Sequence, residues 1–378
     1  MSKSRPLKVL HVAPLPPPLG GMVTYIQGLL NSDVFKSVNY KVVRLNYFNK
    51  EKFTGVLRVL MNILNAFILT TVFLFKTITF NPEIVHIQAN SGFGFFEKSW
   101  IAFLAKLFGK ITIFHFHGGN LRGYFDQSSH FAKTMIRKCI LINDRIMTGS
   151  PQMRETWLYI GVPNEKIVHI NNAVNLPDIS DRKPHHGVSL LFLTRIILQK
   201  GIIELIDAYL ELKKSYSDLK LRIVGANTMD TSVVLNYLLE HDKDQQITFV
   251  GPVSDEQKHQ EYLMADIFAF PTYVEDQSYA VMEAMSYQLP CVASNVGGVP
   301  SLIQDGQNGI LCEPRSVESL VYHLDLLIKD SNLREKLAQN ARSTIERDFT
   351  WNKRSQEILD LYRDLINNKQ HKKIHERA

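Results

Sequence analysis

The chain of 378 residues is poor in cysteine, with only Cys139, Cys291 and Cys312. These residues are odd in number and far apart, which fits neither a disulfide framework nor the ligand spacing of a zinc site. A reducing compartment is therefore expected. The N-terminal stretch VLHVAPLPPPL is too short and too often interrupted by proline for the apolar region of a signal peptide, so we expect no export and a cytoplasmic protein.

The common glycine-rich nucleotide motifs are also missing. The segment PLPPPLGGMVTYIQGLL follows the first predicted strand and contains Gly20 and Gly21, but it matches neither G-x-G-x-x-G nor the Walker A pattern. A nicotinamide or ATP site is therefore disfavoured. The two glycines would still let the backbone approach a phosphate or a sugar closely. The alternative is a tight turn from strand to helix, which is the more common use of such a pair.

Long apolar runs are absent except for residues 59–75, VLMNILNAFILTTVFLF. This run contains Asn62 and Asn65 and is flanked by Arg58 and Lys76, so it is short and polar for a helix that spans a membrane. We favour a helix buried against a sheet. Interfacial contact with a membrane is the main alternative, and a span is less favoured.

Charge is divided unequally along the chain, although the net charge is only +6. Residues 1–180 contain 20 Lys and Arg against 9 Asp and Glu, whereas the remainder contains 23 against 28. A basic first half favours an anionic partner, whether a phosphate-bearing lipid, a membrane surface or a nucleic acid. A surface that only keeps the protein soluble would give the same count.

Apolar runs bounded by turn residues alternate with segments of helical period, which indicates parallel sheets with helices on both faces. The predicted strands of the first half are LKVLHVAP, YKVVRLN, EIVHIQ, ITIFHFHG and DRIMTGS. After the polar stretch NLPDISDRKPHHG, which we interpret as a linker, the second half begins afresh with VSLLFLTR, LKLRIVG, QITFVG, DIFAFPT and PCVAS. We therefore expect an α/β protein of two doubly wound domains, whose ligands bind beyond the carboxyl ends of the strands.

Two cations follow the first strand of the second half. In LLFLTRIILQKG, Arg195 comes directly after the strand and Lys200 lies at the beginning of the next helix. A guanidinium and an ammonium beside a helix N-terminus form an anion site that would suit a diphosphate. A solvated turn is an equally good interpretation of this stretch alone.

Two glutamates, Glu275 and Glu283, lie eight positions apart in EDQSYAVMEAMS. Glu275 is expected in the loop after the strand DIFAFPT, and Glu283 inside a helix over residues 278–286. Carboxylates accept hydrogen bonds from sugar hydroxyls, and the free N–H groups that begin a helix bind phosphate oxygens. These N–H groups would come from Gln277, Ser278 and Tyr279. The alternative is that Glu283 is an ordinary exposed helix residue.

With these segments together, the chain resembles the retaining glycosyltransferases of family four, also called group 1. Their E-x7-E signature corresponds to Glu275 and Glu283, preceded by PTYVE. The other matching segments lie in the expected order: the Gly20 and Gly21 loop, TGSPQMRETWLYIGVPNEKIVHINNAVN, the pair Arg195 and Lys200, NVGGVPSLIQDGQNGILCEP, and FTWNKRSQEILDLY. The resemblance implies the GT-B fold, in which two Rossmann-like doubly wound domains face each other across a cleft.

The resemblance also implies a division of the chain. An N-terminal acceptor-binding domain is expected over residues 1–180 and a C-terminal nucleotide-sugar-binding domain over residues 187–350. A C-terminal helix over residues 351–365 would pack back on the first domain, and residues 366–378 would form a basic tail.

The implied activity is transfer of a hexose from a nucleotide-diphosphate sugar, expected to be a UDP-sugar, to an acceptor hydroxyl with retention of configuration. In this family the residues matching Arg195 and Lys200 stabilise the leaving diphosphate, those matching Glu283 hold the nucleotide ribose, and those matching Glu275 contact the donor sugar. His117 in FHFHGGN matches a histidine near the transferred sugar. His115 is the competing candidate, and a histidine of the core is the alternative for both.

The acceptor is expected to be a lipid-linked or cell-surface glycan precursor, as in polysaccharide or lipopolysaccharide biosynthesis, reached at the inner face of an anionic membrane. We expect no catalytic metal, no other cofactor and no nucleic acid partner. The DKD at Asp242 to Asp244 looks like a metal-binding D-x-D motif, but chance explains it better. Other possible functions are a nucleotide-sugar epimerase of the same fold and a non-catalytic glycan-binding subunit.

The chain departs from the family pattern near the expected donor site. Asp276 and Ser278 replace glycines, and Tyr279 replaces an apolar residue. Ser301 replaces a glutamate in the GGVPS segment. Asp276 adds negative charge beside the expected phosphate site, so its carboxylate would suit sugar hydroxyls better.

Overall fold

The structure, a computed structural model, describes residues 6–16, 20–48, 54–90, 93–118 and 121–375. The chain divides into two compact units. The first unit comprises Met1–Asn172 and Trp351–Ala378, and the second comprises Ala173–Thr350. Each unit contains a parallel sheet of six strands, so the α/β class predicted from the alternating pattern is confirmed.

The sheet of the first unit has the strand order β2-β1-β3-β4-β5-β6. Its strands are β1 Lys8–Ala13, β2 Asn39–Arg44, β3 Ile84–Ala89, β4 Ile111–Phe116, β5 Arg145–Thr148 and β6 Ile167–His169. Every residue of β3 and β4 is buried, as expected for central strands of a parallel sheet covered on both faces. The edge strand β6 was not predicted, since three residues give too short an apolar run to recognise.

Six helices follow these strands before the chain enters the second unit. They are α1 Gly21–Asn31, α2 Gly55–Phe80, α3 Phe93–Leu107, α4 Leu121–Asp126, α5 His130–Leu141 and α6 Pro151–Ile160. Local sequence explains where several begin and end. The Ser150 hydroxyl accepts a hydrogen bond from the N–H of Met153 at the start of α6, Pro151 occupies its first position, and Gly161 ends it with a φ of 99°.

Helix α2 contains the apolar run of residues 59–75 and packs on the first unit through one side only. Its buried residues are Asn65, Leu69, Phe73, Thr77 and Phe80. The expectation of a buried helix is therefore wrong for most of α2, because the opposite side remains exposed. By length and composition α2 could cross a membrane, a test that core helices and signal sequences also pass.

The sheet of the second unit has the order β12-β11-β10-β7-β8-β9. Its strands are β7 Ser189–Leu193, β8 Lys220–Val224, β9 Ile247–Gly251, β10 Ile267–Phe270, β11 Cys291–Ser294 and β12 Ile310–Cys312. Its helices are α7 Ile202–Lys213, α8 Thr231–His241, α9 Asp255–Leu263, α10 Tyr279–Ser286, α11 Val317–Lys329 and α12 Ser331–Asp348. Two separate apolar clusters include alternate residues of its strands, so the sheet is doubly wound.

The stretch interpreted as a linker packs on the second unit. The Arg182 guanidinium donates hydrogen bonds to the carbonyls of Tyr287 and Gln288 at 2.6 and 3.3 Å, and Arg342 donates to the carbonyl of Pro177 at 3.2 Å. These contacts place the division between the units after Asn172. The expected boundary at residue 180 is therefore too late.

The last helix, α13 Trp351–His375, belongs to the first unit. The Tyr362 hydroxyl lies 2.5 Å from Nδ1 of His86 on β3, and the side chain of Trp351 packs against Gly28 of α1. The helix continues past residue 365, where the sequence analysis ended it, because no glycine or proline interrupts the segment and Lys369 donates a hydrogen bond to the carbonyl of Gly109. Of the predicted tail, residues 376–378 lie outside the described residues.

Candidate active site

The candidate residues of the second unit follow neighbouring strands of its sheet. Arg195 and Lys200 follow β7, and Glu275 follows β10, which pairs directly with β7. From this pair the strand order runs outward in opposite directions, through β8 and β9 on one side and β11 and β12 on the other. Ligands of doubly wound sheets bind beyond the carboxyl ends of the strands at such a switch point.

Lys200 and Glu275 form an ion pair, with Nζ 2.6 Å from Oε2. Both side chains are largely buried, at 16% and 18% exposure. Gly201 lets the turn after β7 come close to the backbone of Pro271. Its φ of 72° suits glycine, and a Cβ there would lie 1.9 Å from the carbonyl oxygen of Pro271. The loop after β10 and the turn after β7 are thereby held together, with the ammonium and the carboxylate between them.

The side chain of Arg195 is exposed and forms no hydrogen bond or ion pair with the described part of the chain. Its backbone position is fixed, because the flanking residues Thr194 and Ile196 donate hydrogen bonds to the carbonyls of Val224 and Ala226. The exposed guanidinium is therefore available to bind an anion.

Helix α10 begins one residue later than predicted, because Ser278 acts as its N-cap. The Ser278 hydroxyl accepts a hydrogen bond from the N–H of Val281 at 3.3 Å. Gln277 and Ser278 are buried, and Tyr279 is the first helical residue. Serine thus stabilises the start of the helix, and the other N–H groups of the first turn have no partner within the helix.

Glu283 lies in α10, and its carboxylate is bound by two residues of α9. Oε1 accepts a hydrogen bond from Nζ of Lys258 at 3.0 Å, and Oε2 accepts one from the Tyr262 hydroxyl at 3.1 Å. Burial, with Glu283 nearby, raises the pKa of Tyr262 well above its usual value, so the hydroxyl keeps the proton it donates. Glu283 is only 21% exposed, which excludes the interpretation of an ordinary surface residue.

Lys258 and Tyr262 were not identified from the sequence. The signal that could have found them is their spacing of four residues, which places both on one face of α9. Nothing in the sequence indicates that this face meets Glu283, since that contact arises only when α9 and α10 pack together.

The loop after β11 supports the backbone of Glu275. The N–H of Gly298 donates a hydrogen bond to the carbonyl of Glu275 at 3.3 Å, and the Ser301 hydroxyl donates one to the carbonyl of Gly298 at 2.6 Å. Ser301 therefore stabilises the turn that supports the Glu275 backbone. Asp276 is half-buried beside it.

In the first unit, Gly20 and Gly21 follow β1 and begin α1. Gly20 is the residue before the helix, and its carbonyl accepts hydrogen bonds from the N–H groups of Val23 and Thr24. A Cβ on Gly20 would meet nothing within 4 Å. Packing against the described residues therefore does not require a glycine at this position.

His117 follows β4 and is partly exposed, whereas His115 on the same strand is buried. Nε2 of His117 is hydrogen-bonded to the Gln88 side chain, and its ring lies 4.0 Å from that of His115 and 4.9 Å from that of Tyr25. Loss of solvation lowers the pKa of His117 to about 3, so the ring is neutral at pH 7. Of the two candidates, only His117 could touch a ligand.

His115 continues into a row of buried histidines with His86 and His11. Ring centroids lie 5.4 Å apart between His115 and His86 and 5.3 Å apart between His86 and His11. Burial lowers the pKa of each. Neither ring nitrogen of His11 has a hydrogen-bond partner among the described residues. This row belongs to the core and was not predicted.

The DKD segment has a structural role. The Asp242 carboxylate accepts hydrogen bonds from the N–H groups of Gln246 and Ile247 at 2.9 and 2.8 Å, which closes the turn before β9. Asp244 accepts one from the Gln246 side chain at 3.3 Å.

A family model and several curated proteins match part of the chain. Residues 180–344 match the family model described as glycosyl transferases group 1. The glycogen synthase of Mycobacterium tuberculosis is 25% identical over 243 residues, which cover 62% of this chain and 57% of that protein. The chain spans about half the length of the curated relatives it matches.

Solved structures resemble the chain over nearly its whole length. The sucrose-phosphate synthase of Thermosynechococcus elongatus has a TM-score of 0.79 at 18% identity, over 96% of this chain and 100% of that one. The HepE protein of Anabaena, solved with UDP, has a TM-score of 0.71 at 16% identity, over 95% of this chain and 100% of that one. These likenesses show the GT-B fold of two Rossmann-like domains. Over residues 180–344, the chain is similar to the glycosyl transferases group 1 family.

Proposed function

We propose that the protein is a retaining glycosyltransferase that moves a hexose from a UDP-sugar to an acceptor hydroxyl. The observation that carries the proposal is the group of Arg195, Lys200 and Glu275 at the switch point of the second sheet, inside the segment that matches the family. The UDP bound to the similar HepE structure supports a uridine nucleotide.

The donor would bind along the carboxyl edge of this sheet. The Lys200 ammonium has three N–H groups, and its bond to Glu275 leaves others for a diphosphate, which the free Arg195 guanidinium would bind as well. The first N–H groups of α10 add a third source of positive potential. Glu275 keeps lone pairs for hydroxyls of the donor sugar, and Glu283 for those of the ribose.

In the reaction, the bond between the anomeric carbon and the diphosphate oxygen breaks, so negative charge develops on the departing diphosphate. Arg195, Lys200 and the α10 N–H groups would stabilise this charge. The acceptor hydroxyl attacks the same face of the sugar, and a diphosphate oxygen takes its proton, so the step requires no protein nucleophile and no metal. Neutral His117 would contact the transferred sugar or the acceptor.

The acceptor side of the proposal is a lipid-linked or cell-surface glycan precursor, met at the cytoplasmic face of a membrane. The basic character of the first unit supports it, since such precursors and the lipids around them carry phosphates. Transfer of this kind would serve polysaccharide or lipopolysaccharide biosynthesis.

A thermal-shift series with UDP-, GDP- and ADP-sugars tests the donor, because a ligand that binds the native state raises its stability by mass action. We expect UDP-sugars to raise the Tm most. No response to any nucleotide sugar would contradict the proposal. Rapid release of free nucleotide without acceptor would favour the epimerase instead. If cells with the Lys200→Met variant make the same glycan as unmodified cells while cells without the protein do not, that result would favour a non-catalytic subunit.

A further inference from the structure

Helices α2, α3 and α5 lie side by side in the first unit, since α3 packs against both of the others. Their outer side presents large apolar side chains to solvent, with Phe67 at 69%, Trp100 at 50% and Phe131 at 75% exposure. We name this surface the apolar helix face. It comprises Leu60, Ile63 and Phe67 of α2, Trp100 and Phe103 of α3, and Phe131 of α5.

The apolar helix face differs from the usual surface of a globular protein. A surface helix normally carries polar residues opposite its buried stripe. In α2 the buried stripe repeats at Asn65, Leu69 and Phe73, and the opposite side carries Leu60, Ile63 and Phe67. More than half of the exposed large hydrophobic side chains among the described residues lie on these three helices. So many exposed apolar side chains on neighbouring helices indicate an interaction site.

Charge indicates what covers the face. Helices α2, α3 and α5 contain seven Lys or Arg residues, of which Arg58, Arg137 and Lys138 are exposed, and a single acid, Glu97. Glu97 already accepts a hydrogen bond from Asn65 at 2.9 Å. The first unit as a whole has 27 Lys and Arg against 12 Asp and Glu. Two copies of so basic a face would repel each other, whereas a surface of anionic headgroups would attract it.

We propose that the apolar helix face docks on a lipid bilayer with anionic headgroups, with α2 lying in the plane of the interface. The apolar side chains would enter the acyl boundary, and the long cationic side chains would reach the headgroups. This inference rests on the proposed function for its purpose, because it names the surface that brings the enzyme to a lipid-linked acceptor. Binding to lipid itself requires no nucleotide, so the two can be tested apart.

The hydrogen bonds of α2 favour a helix that lies in the interface over a helix that spans the bilayer. A helix of 26 residues measures about 39 Å, which would suffice for a hydrocarbon core of about 30 Å. However, Nδ2 of Asn65 donates to the carbonyl of Leu45 at 3.1 Å, and Nζ of Lys76 donates to the carbonyl of Val42 at 2.5 Å. A spanning α2 would have to break these bonds and expose the core side of Leu69 and Phe73. Docking through the outer side keeps them.

The native tryptophans give a direct measurement. Trp100 lies on the apolar helix face, whereas Trp157 and Trp351 are buried. The full-length protein is mixed with vesicles of phosphatidylcholine alone, or with one third phosphatidylglycerol, in the absence of nucleotide. We expect about tenfold stronger binding to the anionic vesicles, weakened by salt, and quenching of Trp100 by lipids brominated on their acyl chains.

Variants of two exposed phenylalanines test whether the apolar helix face is the surface that binds the vesicles. Phe67→Ser and Phe131→Ser should each lower the vesicle partition coefficient by about tenfold, since each removes a side chain buried in lipid. The matched control is Leu239→Ser, at an exposed apolar residue of α8 in the second unit. It should bind vesicles as the unmodified protein does.

Three results would overturn the inference. One is no binding to anionic vesicles, and another is equal binding by the Phe67→Ser, Phe131→Ser and control proteins. The third is self-association that the two Phe variants abolish while vesicle binding is absent, which would make a second copy the partner. If protein bound to cell membranes resists extraction by alkaline carbonate, α2 spans the bilayer and the in-plane arrangement is wrong. A nucleotide-sugar thermal shift on the same samples shows separately whether the proposed donor site fails.

Discussion

Lys200 is the cation that the structure holds most firmly at the candidate active site, through its bond to Glu275. We predict that Lys200→Met lowers the rate of sugar transfer by about 100-fold, since one preorganised donor at a developing negative charge has an effect of this size. Initial rates with saturating donor measure it. The control is Lys214→Met, which removes an exposed lysine paired with Glu211. Equal rates for the two variants would remove Lys200 from the mechanism.

Tyr262 is buried and positions Glu283 through a hydrogen bond to its carboxylate. Because its ring is buried and stacks on Tyr287 at 4.5 Å, Tyr262→Phe keeps the packing and removes one hydrogen bond to the carboxylate. We predict that the KM for the donor rises about fivefold while kcat changes little, as a loss of about 1 kcal/mol of ground-state binding would give. Steady-state kinetics distinguish this from a lower kcat, which would contradict a role in donor binding.

A matched control for Tyr262 is available in the same unit. The Tyr216 hydroxyl, in the turn after α7, donates a hydrogen bond to the Asp325 carboxylate of α11 at 2.6 Å, and neither residue is a candidate site residue. Tyr216→Phe removes a hydrogen bond of the same type. The donor KM of this variant should equal that of the unmodified protein.

His11 makes the first unit sensitive to acid. Burial lowers its pKa to about 3, whereas an unfolded histidine has a pKa of about 6.5. Between these values the unfolded chain binds a proton that the folded chain does not, so the free energy of unfolding falls as the pH falls. The slope is about 1.4 kcal/mol per pH unit for one such group.

His11→Leu should therefore make the free energy of unfolding less dependent on pH between pH 6.5 and pH 4.5. The slope should fall by the amount that corresponds to about one proton bound on unfolding, as measured by urea unfolding at several pH values. The substitution also removes two ring nitrogens that have no hydrogen-bond partner among the described residues. His186→Leu, at an exposed position, serves as the control. An identical slope for His11→Leu and the unmodified protein would show that His11 is solvated in the native state.

At the scale of elements, the contact of α1 with α13 depends on one glycine. A Cβ on Gly28 would lie 2.0 Å from Cε2 of Trp351. Alanine is the better helix former by about 1 kcal/mol, so Gly28→Ala would stabilise an isolated α1. We predict the opposite sign here, a loss of about 1–3 kcal/mol in the free energy of unfolding, because the clash with a buried indole outweighs the propensity.

A double-mutant cycle tests the cause of that loss. In the background of Trp351→Leu, which removes the indole, Gly28→Ala should cost much less or become favourable. Urea unfolding of the four proteins gives the coupling energy. A cost that is unchanged in the Trp351→Leu background would place the strain elsewhere in α1.

The elements show what sequence patterns can and cannot predict. Ten strands could be identified because each is an apolar run bounded by turn residues, but β6 and β12 have three residues and give no such run. The apolar composition of α2 was recognised, yet burial was inferred from it. Composition does not tell how many sides of a helix the rest of the chain covers, and here only one stripe is covered.

The candidate site shows the same limit. Arg195, Lys200, Glu275 and Glu283 were found because they lie at fixed positions after strands in a recognisable motif. Their partners Lys258 and Tyr262 come from α9, and Gln88, which holds His117, comes from β3. These contacts are made only by tertiary packing, so local pattern and propensity contain no signal for them.

For the whole molecule, charge separates with the two units. The first unit has 27 Lys and Arg against 12 Asp and Glu, whereas the second has 16 against 25. The second unit, expected to bind the anionic donor, is therefore acidic overall. Donor binding there must depend on local cations such as Arg195 and Lys200 rather than on the general field of the unit.

The second unit should fold by itself, because it is one continuous segment, Ala173–Thr350, with apolar clusters on both faces of its sheet. We predict that a fragment of residues 173–350 unfolds cooperatively and is stabilised by the same nucleotide sugars, in the same order, as the full chain. It should not bind anionic vesicles, since it lacks the apolar helix face. Calorimetry and vesicle sedimentation measure both properties.

The first unit supplies the matched comparison, because it consists of two separate segments. A fragment of residues 1–172 lacks α13, so Tyr362 no longer covers His86 and Trp351 no longer covers Gly28. We expect this fragment to unfold at a lower urea concentration than the full chain does, and addition of a peptide of residues 351–378 to restore part of its stability. Failure of residues 173–350 to fold, or a fragment 1–172 as stable as the full chain, would show that the division of the molecule into these two units is wrong.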